Sequence, residues 1–106
     1  MAATKQKFKK SNVPSLEQCE FVSQILKNMA HPQRLLILCH LCEAPKSVSE
    51  LEELSGASQS AVSQFLTRMK QDGLVRGQRK NQNVIYDIES QQVKKLVSSM
   101  HKIFRD

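Results

Sequence analysis

The stretch from Ser47 to Val75, SVSELEELSGASQSAVSQFLTRMKQDGLV, constrains the fold more than any other part of the chain. It reads as two short helices. Ser47, with Glu50 three residues on, has capping-box spacing and starts the first; Ser58 caps the second, and Asp72-Gly73 closes it. Ser55-Gly56-Ala57 makes the turn between them. Val48, Leu51 and Leu54 recur on the inward face of the first helix, opposite Glu50, Glu52 and Glu53. In the second, Ala61, Val62, Phe65, Leu66 and Met69 point at the core, which leaves Gln59, Ser60, Ser63, Gln64, Thr67 and Arg68 outside. This is the outline of a helix-turn-helix, in which the second helix enters the DNA major groove. Short Ser, Thr and Gln side chains are mediocre choices for stabilising a solvated helix, where Lys and Glu have better propensity. They suit close-range hydrogen bonding to base edges and phosphates.

The flanking segments read as a scaffold for that unit. Ser15 and Gln18 have capping-box spacing at the start of a first helix, and Leu16, Cys19, Val22, Ile25, Leu26 and Met29 form one apolar stripe along it. A second helix starts near His31-Pro32 and runs through QRLLILCHLC to Ala44-Pro45; so little polarity predicts burial on most sides. After Gly73, Leu74-Val75-Arg76 reads as a strand and Val84–Ile88 as its partner, with GQRKNQN between them as a polar loop carrying Arg79 and Lys80 near its tip. A hairpin there is a wing, whose cations suit phosphates or the adjacent minor groove. Ser90 caps a last helix with Val93, Leu96, Val97, Met100, Ile103 and Phe104 at helical spacing. The predicted fold is therefore mainly α with a β-hairpin wing: a winged helix-turn-helix of order α-α-α-α-β-β-α spanning residues 14–106. Residues 1–13, with four lysines and no periodicity, read as a flexible basic arm. In so small a domain the first and last helices are the expected pairing surface of a homodimer.

Composition narrows the partner. Sixteen Lys and Arg against 10 Asp and Glu give 106 residues a net charge of +6, which fits a polyanion. Three cysteines, Cys19, Cys39 and Cys42, are too few and too odd in number for a disulfide scaffold. The basic N-terminus is followed by no apolar run, and the longest such run, Leu35 to Cys39, is far short of a membrane span. A cytoplasmic protein with reduced thiols and no membrane partner is expected.

With the element order in place, three phrases stand together: MAHPQRLLILCHL, the helix-turn-helix itself, and NVIYDI. Over Leu26 to Phe104 the chain resembles the ArsR/SmtB family of bacterial repressors. The resemblance implies a homodimeric winged-helix repressor that leaves its operator when an effector arrives. It places the recognition helix at Ser58 to Gln71, with Gln59, Ser60, Ser63 and Gln64 toward the groove. Many members have His where this chain has Phe65, so that contact is missing or replaced.

Family members sense soft or borderline metals, or redox species, at distinct sites. One group has C-x-C followed by Asp at the start of the third helix; here that place reads Ser47-Val48-Ser49-Glu50. A second binds zinc through D-x-H and H-x-x-E on the last helix; here Ser90 with Gln92 and Ile103 with Asp106 stand instead, too few ligands for a tetrahedral site. Neither a metal nor another cofactor is expected. The phrases most resemble the BigR/HlyU-like branch of redox and sulfide sensors, whose first cysteine falls on Cys39. Its second falls at about Arg105, so that branch's usual intrasubunit bridge has no second thiol here. Cys39 and Cys42 lie near a helix C-terminus, whereas redox-active C-x-x-C pairs sit at N-termini where the dipole lowers the thiol pKa. Three readings of the thiols stay open: small buried hydrophobes, a soft-metal cluster of Cys19, Cys39 and Cys42 with His40, and redox sensing through a Cys19–Cys39 bond or an intersubunit bond. His31 and His101 suit capping or solvated roles.

The functional reading is a sequence-specific repressor on double-stranded operator DNA, an imperfect inverted repeat, with Thr67, Arg68, Arg79 and Lys80 adding contacts around the four groove residues. The rivals are a constitutive or protein-binding winged helix whose cysteines only pack, and an enzyme. An apolar outer face on the recognition helix would have favoured protein binding. No nucleophile–base pair, phosphate loop or metal cluster supports catalysis.

Overall fold

A computed structural model describes residues 12–105. Residues 1–11 and 106 lie outside the described residues, and with them most of the basic arm. The elements run α1 (Leu16–Met29), α2 (Pro32–Glu43), β1 (Lys46–Ser47), α3 (Val48–Ser55), α4 (Gln59–Gln71), β2 (Val75–Lys80), β3 (Asn83–Ile88) and α5 (Gln91–Phe104).

Helix starts are set by local side chains. Ser15 and Gln18 form a full capping box on α1, as do Ser47 and Glu50 on α3, each hydroxyl accepting from the third amide while the partner side chain accepts from the cap amide. The Ser47 bonds hold the Glu50 carboxyl below the usual carboxylate range. A depressed carboxylate contributes stability at neutral pH, and that contribution is lost as pH falls through the lowered pKa. Ser58 and Ser90 cap α4 and α5 through the amides of Ala61 and Val93. His31 caps α2, with Pro32 in its first turn.

Helix ends are as local. Gly56, at φ +72°, takes the left-handed position that ends α3. After α4 the Gly73 amide donates to Lys70 O and the Leu74 amide to Met69 O, a Schellman motif with Gly73 left-handed. That closure drops Leu74, only 1% exposed, into the core and launches β2 directly.

One cluster ties the elements together. Ile37, Leu38 and Leu41 from α2, Leu51 from α3, Val62, Leu66 and Met69 from α4, Leu74, Val75 and Ile88 from the sheet, and Val93 and Val97 from α5 are buried in it. The expected central role of α2 holds on that side. Its other side is open: Leu36 is exposed and Cys39, His40 and Cys42 are half-buried along a groove facing α5. Leu54, expected inward, is exposed near the end of short α3.

The sheet differs from expectation in two ways. It has three antiparallel strands in the order β1-β3-β2, because Lys46 and Ser47 pair with Tyr86 and Ile85. The wing's strands are also longer than predicted. Arg79 pairs with Val84 and Lys80 with Asn83, so both lie on β2 rather than in a long loop, and a two-residue turn joins the strands. Asn81 takes φ +60° there, a left-handed conformation that Asn tolerates. Gly77 faces Tyr86 across the ladder, and a Cβ at Gly77 would stand 3.0 Å from Tyr86 Cε1 and 3.1 Å from Val84 Cγ1. Gly77→Val therefore overpacks the wing, and denaturant titration should show a loss of about 1–3 kcal/mol.

Candidate nucleic-acid interface

Helix α4 is divided cleanly by burial. Val62, Leu66 and Met69 are buried, Ala61 and Phe65 are half-buried along its flanks, and Gln59, Ser60, Ser63, Gln64, Thr67 and Arg68 are all exposed. The exposed residues form one polar face, and Ser63, Gln64, Thr67, Arg68 and Gln71 line a shallow concavity on it. These are the residues expected to meet DNA, and the structure brings them together.

Their hydrogen-bonding capacity is not equal. Thr67 Oγ1 donates to Ser63 O at 2.8 Å, so its proton is committed to the helix. What Thr67 still offers is its oxygen lone pairs and a methyl group, the latter suited to a thymine methyl. Ser63, Gln64, Gln59 and Ser60 keep unclaimed side-chain donors. Arg68 Nε stands 3.3 Å from Asp72 Oδ2, an exposed i,i+4 pair. Pairs of this kind are worth about 0–1 kcal/mol, so a phosphate can take the guanidinium at little cost.

On the wing, Arg76 is 3.9 Å from Asp87 and 3.7 Å from Glu89, two loose and largely exposed ion pairs within the protein. Arg79 and Lys80 are exposed and, among the described residues, have no carboxylate partner. Being successive strand residues, they point to opposite faces of the hairpin.

Phe65 does not project into the polar face. Its ring lies 4.8 Å from that of His31 at 54°, and the Arg34 guanidinium carbon is 5.7 Å from its centroid. The residue that replaces the family's usual His thus packs against the first turn of α2.

The thiols divide into two places. Cys19 is exposed on α1, while Cys39 and Cys42 line the groove between α2 and α5, a cavity of about 410 Å³. Among the described residues no cluster of three or more His, Cys, Asp and Glu is placed to hold a metal, and Cys19 is not brought to the other two. The soft-metal cluster therefore does not form, because α1 carries its cysteine away from that groove. Cys42 Sγ lies 3.8 Å from Lys94 O. Burial raises the Cys39 thiol above its ordinary pKa, and neighbouring Cys42 adds to this. Burial raises Cys42 as well, with Asp87 in support, against a Ser98 hydrogen bond and the Lys94 charge, which lower it. Arg105, at about the position where the resemblance puts that branch's second thiol, lines the same groove as Cys39.

Sequence reasoning missed Phe21. It sits outside the α1 stripe, is 62% exposed, and lines a groove of about 760 Å³ between α1 and α5. Its signal was present: Phe21 stands beside Val22 and four residues before Ile25, at helical spacing.

Residues 31–76 match the model of the bacterial regulatory protein, arsR family. The chain is 40% identical over 86 residues to the HTH-type transcriptional regulator YgaV of Escherichia coli K12, covering 80% of this chain and 87% of that protein. Among solved structures, HlyU from Vibrio cholerae superposes with a TM-score of 0.80 at 36% identity, over 85% of this chain and 98% of that one. The transcriptional repressor BigR from Xylella fastidiosa gives a TM-score of 0.79 at 31% identity, over 85% and 92% of the two chains. No described helix is long and apolar enough to cross a membrane. The winged fold, the divided recognition helix and these likenesses agree, and the chain belongs to the ArsR family of bacterial regulatory proteins.

Proposed function

We propose that the protein is a homodimeric transcriptional repressor that binds an imperfect inverted repeat in double-stranded DNA. The observation that carries this is the exposed polar face of α4, flanked by wing cations with no carboxylate partner. Base edges are read by Gln59, Ser60, Ser63 and Gln64, with Thr67 supplying its methyl group and Arg68, Arg79 and Lys80 meeting phosphates. Relatives named as a regulator and a repressor support the role.

Two-fold pairing follows from the apolar surface left over. Leu16 is 76% exposed, Ile103 73% and Phe104 79%, and with Phe21 they leave apolar faces on α1 and α5 uncovered in the single chain. A second copy covers those faces and sets two α4 helices about 10 bp apart on successive major grooves. A structural neighbour under 25% identical is itself described as homodimeric.

The regulatory input is open to two readings. In the first, an oxidant or reactive sulfur species modifies Cys39 and the added bulk in the α2–α5 groove shifts α5, loosening the dimer and its grip on DNA. In the second, the thiols only pack and repression is constitutive. The raised thiol pKa values favour the second reading, since they leave little thiolate at neutral pH.

Three measurements test these assignments. Ser63→Ala with Gln64→Ala should erase the preference for operator over unrelated DNA in gel-shift competition, at about 1–3 kcal/mol for each lost base contact, with an unchanged far-UV spectrum. Unaltered selectivity would refute α4 as the reading element. Phe21→Glu with Phe104→Glu should turn the dimer into a monomer in sedimentation velocity and weaken operator binding by at least roughly tenfold. In the wild type at pH 7, iodoacetamide should label Cys39 and Cys42 several-fold more slowly than free cysteine, and the rate should climb only above the ordinary thiol range because the raised pKa delays ionisation. Operator affinity compared with reductant, tetrathionate or polysulfide, and repeated in Cys39→Ser, decides between the two regulatory readings.

A further inference from the structure

Arg34 is the one described residue with a buried side-chain nitrogen that has no hydrogen-bond partner. It stands in the first turn of α2 with its guanidinium 5.7 Å from the centroid of Phe65, a half-buried flank residue of α4. An arginine is charged at every relevant pH, and a charge withdrawn from water without a counter-ion is disfavoured. The aromatic face offsets part of that cost. Among the described residues no carboxylate pairs with Arg34, and no hydrogen bond claims its two terminal amino groups. The residue as a whole is only half-buried, so the withdrawal falls on Nε and the stem.

Its surroundings leave one role. His31 Nδ1 accepts from the Gln33 and Arg34 amides at 3.2 and 3.5 Å, so the first-turn amides of α2 are already occupied and do not form an anion site themselves. His31 also packs on Phe65, which fixes the ring from a second side. The guanidinium thus stands over the Phe65 ring, its carbon 5.7 Å from the centroid, with its terminal amino groups unclaimed among the described residues and able to meet a phosphate bidentately. Phe65 is next in sequence to Gln64 and one helical turn from Arg68, both on the exposed face. A helix lying in the major groove has a sugar–phosphate strand along each flank. The flank that carries Phe65 brings Arg34 to one of them.

We propose that Arg34, set over the Phe65 ring, is a phosphate-contacting residue of the DNA interface, supplied from outside the helix-turn-helix. It rests on the reading that α4 enters DNA. Arg34 then acts as a sequence-independent anchor on the lip of the groove, and Phe65 is its platform. The aromatic position thus contributes through the cation it orients.

The test is the salt dependence of binding by the full chain, using an operator fragment and an unrelated duplex of equal length. Each phosphate contact contributes about 0.9 to the slope of log affinity against log salt. Arg34→Met keeps the apolar stem on Phe65 and removes the charge. It should lower the slope by about 0.9 per protomer, or about 1.8 per dimer, and weaken both duplexes alike so that their affinity ratio is kept. Arg34→Gln gives the same readout if the methionine variant does not fold, and Arg34→Lys should retain most of the slope. A wild-type slope in Arg34→Met or Arg34→Gln, whether or not thermal stability falls, would make the arginine a packing residue and overturn the proposal. A wild type that binds neither duplex would instead overturn the reading of α4, and this inference with it.

Discussion

The whole arrangement depends on complete burial of one face of α4. Val62 and Met69 are wholly inaccessible and Leu66 nearly so, locked into the same cluster as Ile37, Leu38, Leu41 and Leu51. Full burial of side chains of this size is worth about 1.5–3 kcal/mol each. That anchoring is what allows the opposite face to consist of Ser, Thr and Gln, which do little to hold a helix together. The chain gives up helix propensity on the outside of α4 and recovers the stability through packing on the inside. An exposed polar helix without such an anchor would fray. With it, the small side chains are held at fixed spacing on a rigid element, which is what reading base edges needs.

The same bookkeeping divides the molecule into a finished half and an unfinished one. Around α2, α3, α4 and the sheet, most apolar residues find partners within the chain, Leu36 and Leu54 excepted. Along the outer face of α1 and at the end of α5 they do not, and Leu16, Phe21, Ile103 and Phe104 stay exposed. Val93 and Val97 show that α5 itself is anchored, with one face in the core and the next presented outward. Capping boxes and serine caps fix where these helices begin, so their outward faces are set by local rules before any partner arrives.

What the sequence made legible was local or periodic. Four serine caps, the Gly56 and Gly73 terminations and the two-sided pattern of α4 depend on residues a few positions apart, and all were readable without a structure. What escaped was set by contacts distant in sequence. Strand β1 is two residues long, too short to show any alternation, and exists only because β3 offers it an edge. The wing's polar residues from Gly77 to Lys80 read as loop because neither face of that hairpin end is buried, so the period-two signal that marks a strand is absent there. Leu54, and Leu16, Val22 and Leu26 of the α1 stripe, obeyed helical spacing but stay exposed in the chain, whereas Ile25 and Met29 reach the core. Periodicity tells which residues share a face, not whether anything covers it. The site behaved in the same way: the α4 face was legible as a pattern, whereas the meeting of Arg34 with Phe65 joins two helices across a turn and two capping motifs.

That meeting changes how α2 is understood. Read as sequence, it is a core helix with two thiols. In the structure its first turn touches the flank of the recognition helix through His31 and Arg34, and its last turns carry Cys39 and Cys42 beside α5. Arg34 and Cys42, eight positions apart, are separated by about 12 Å of helix, a short strut with few ways to bend. Its middle, Ile37, Leu38 and Leu41, is fully buried, so the strut is gripped between its two working ends. Spatial continuity of this kind is not in itself coupling, which requires an element with two arrangements that both sites bias. The groove beside α5 is where a second arrangement is sterically affordable, since about 410 Å³ there is unfilled while the α4 side is close-packed. A change at the thiols would therefore be taken up first by α5 and the exposed apolar face it carries, and the α2–α4 contact would be the last to yield.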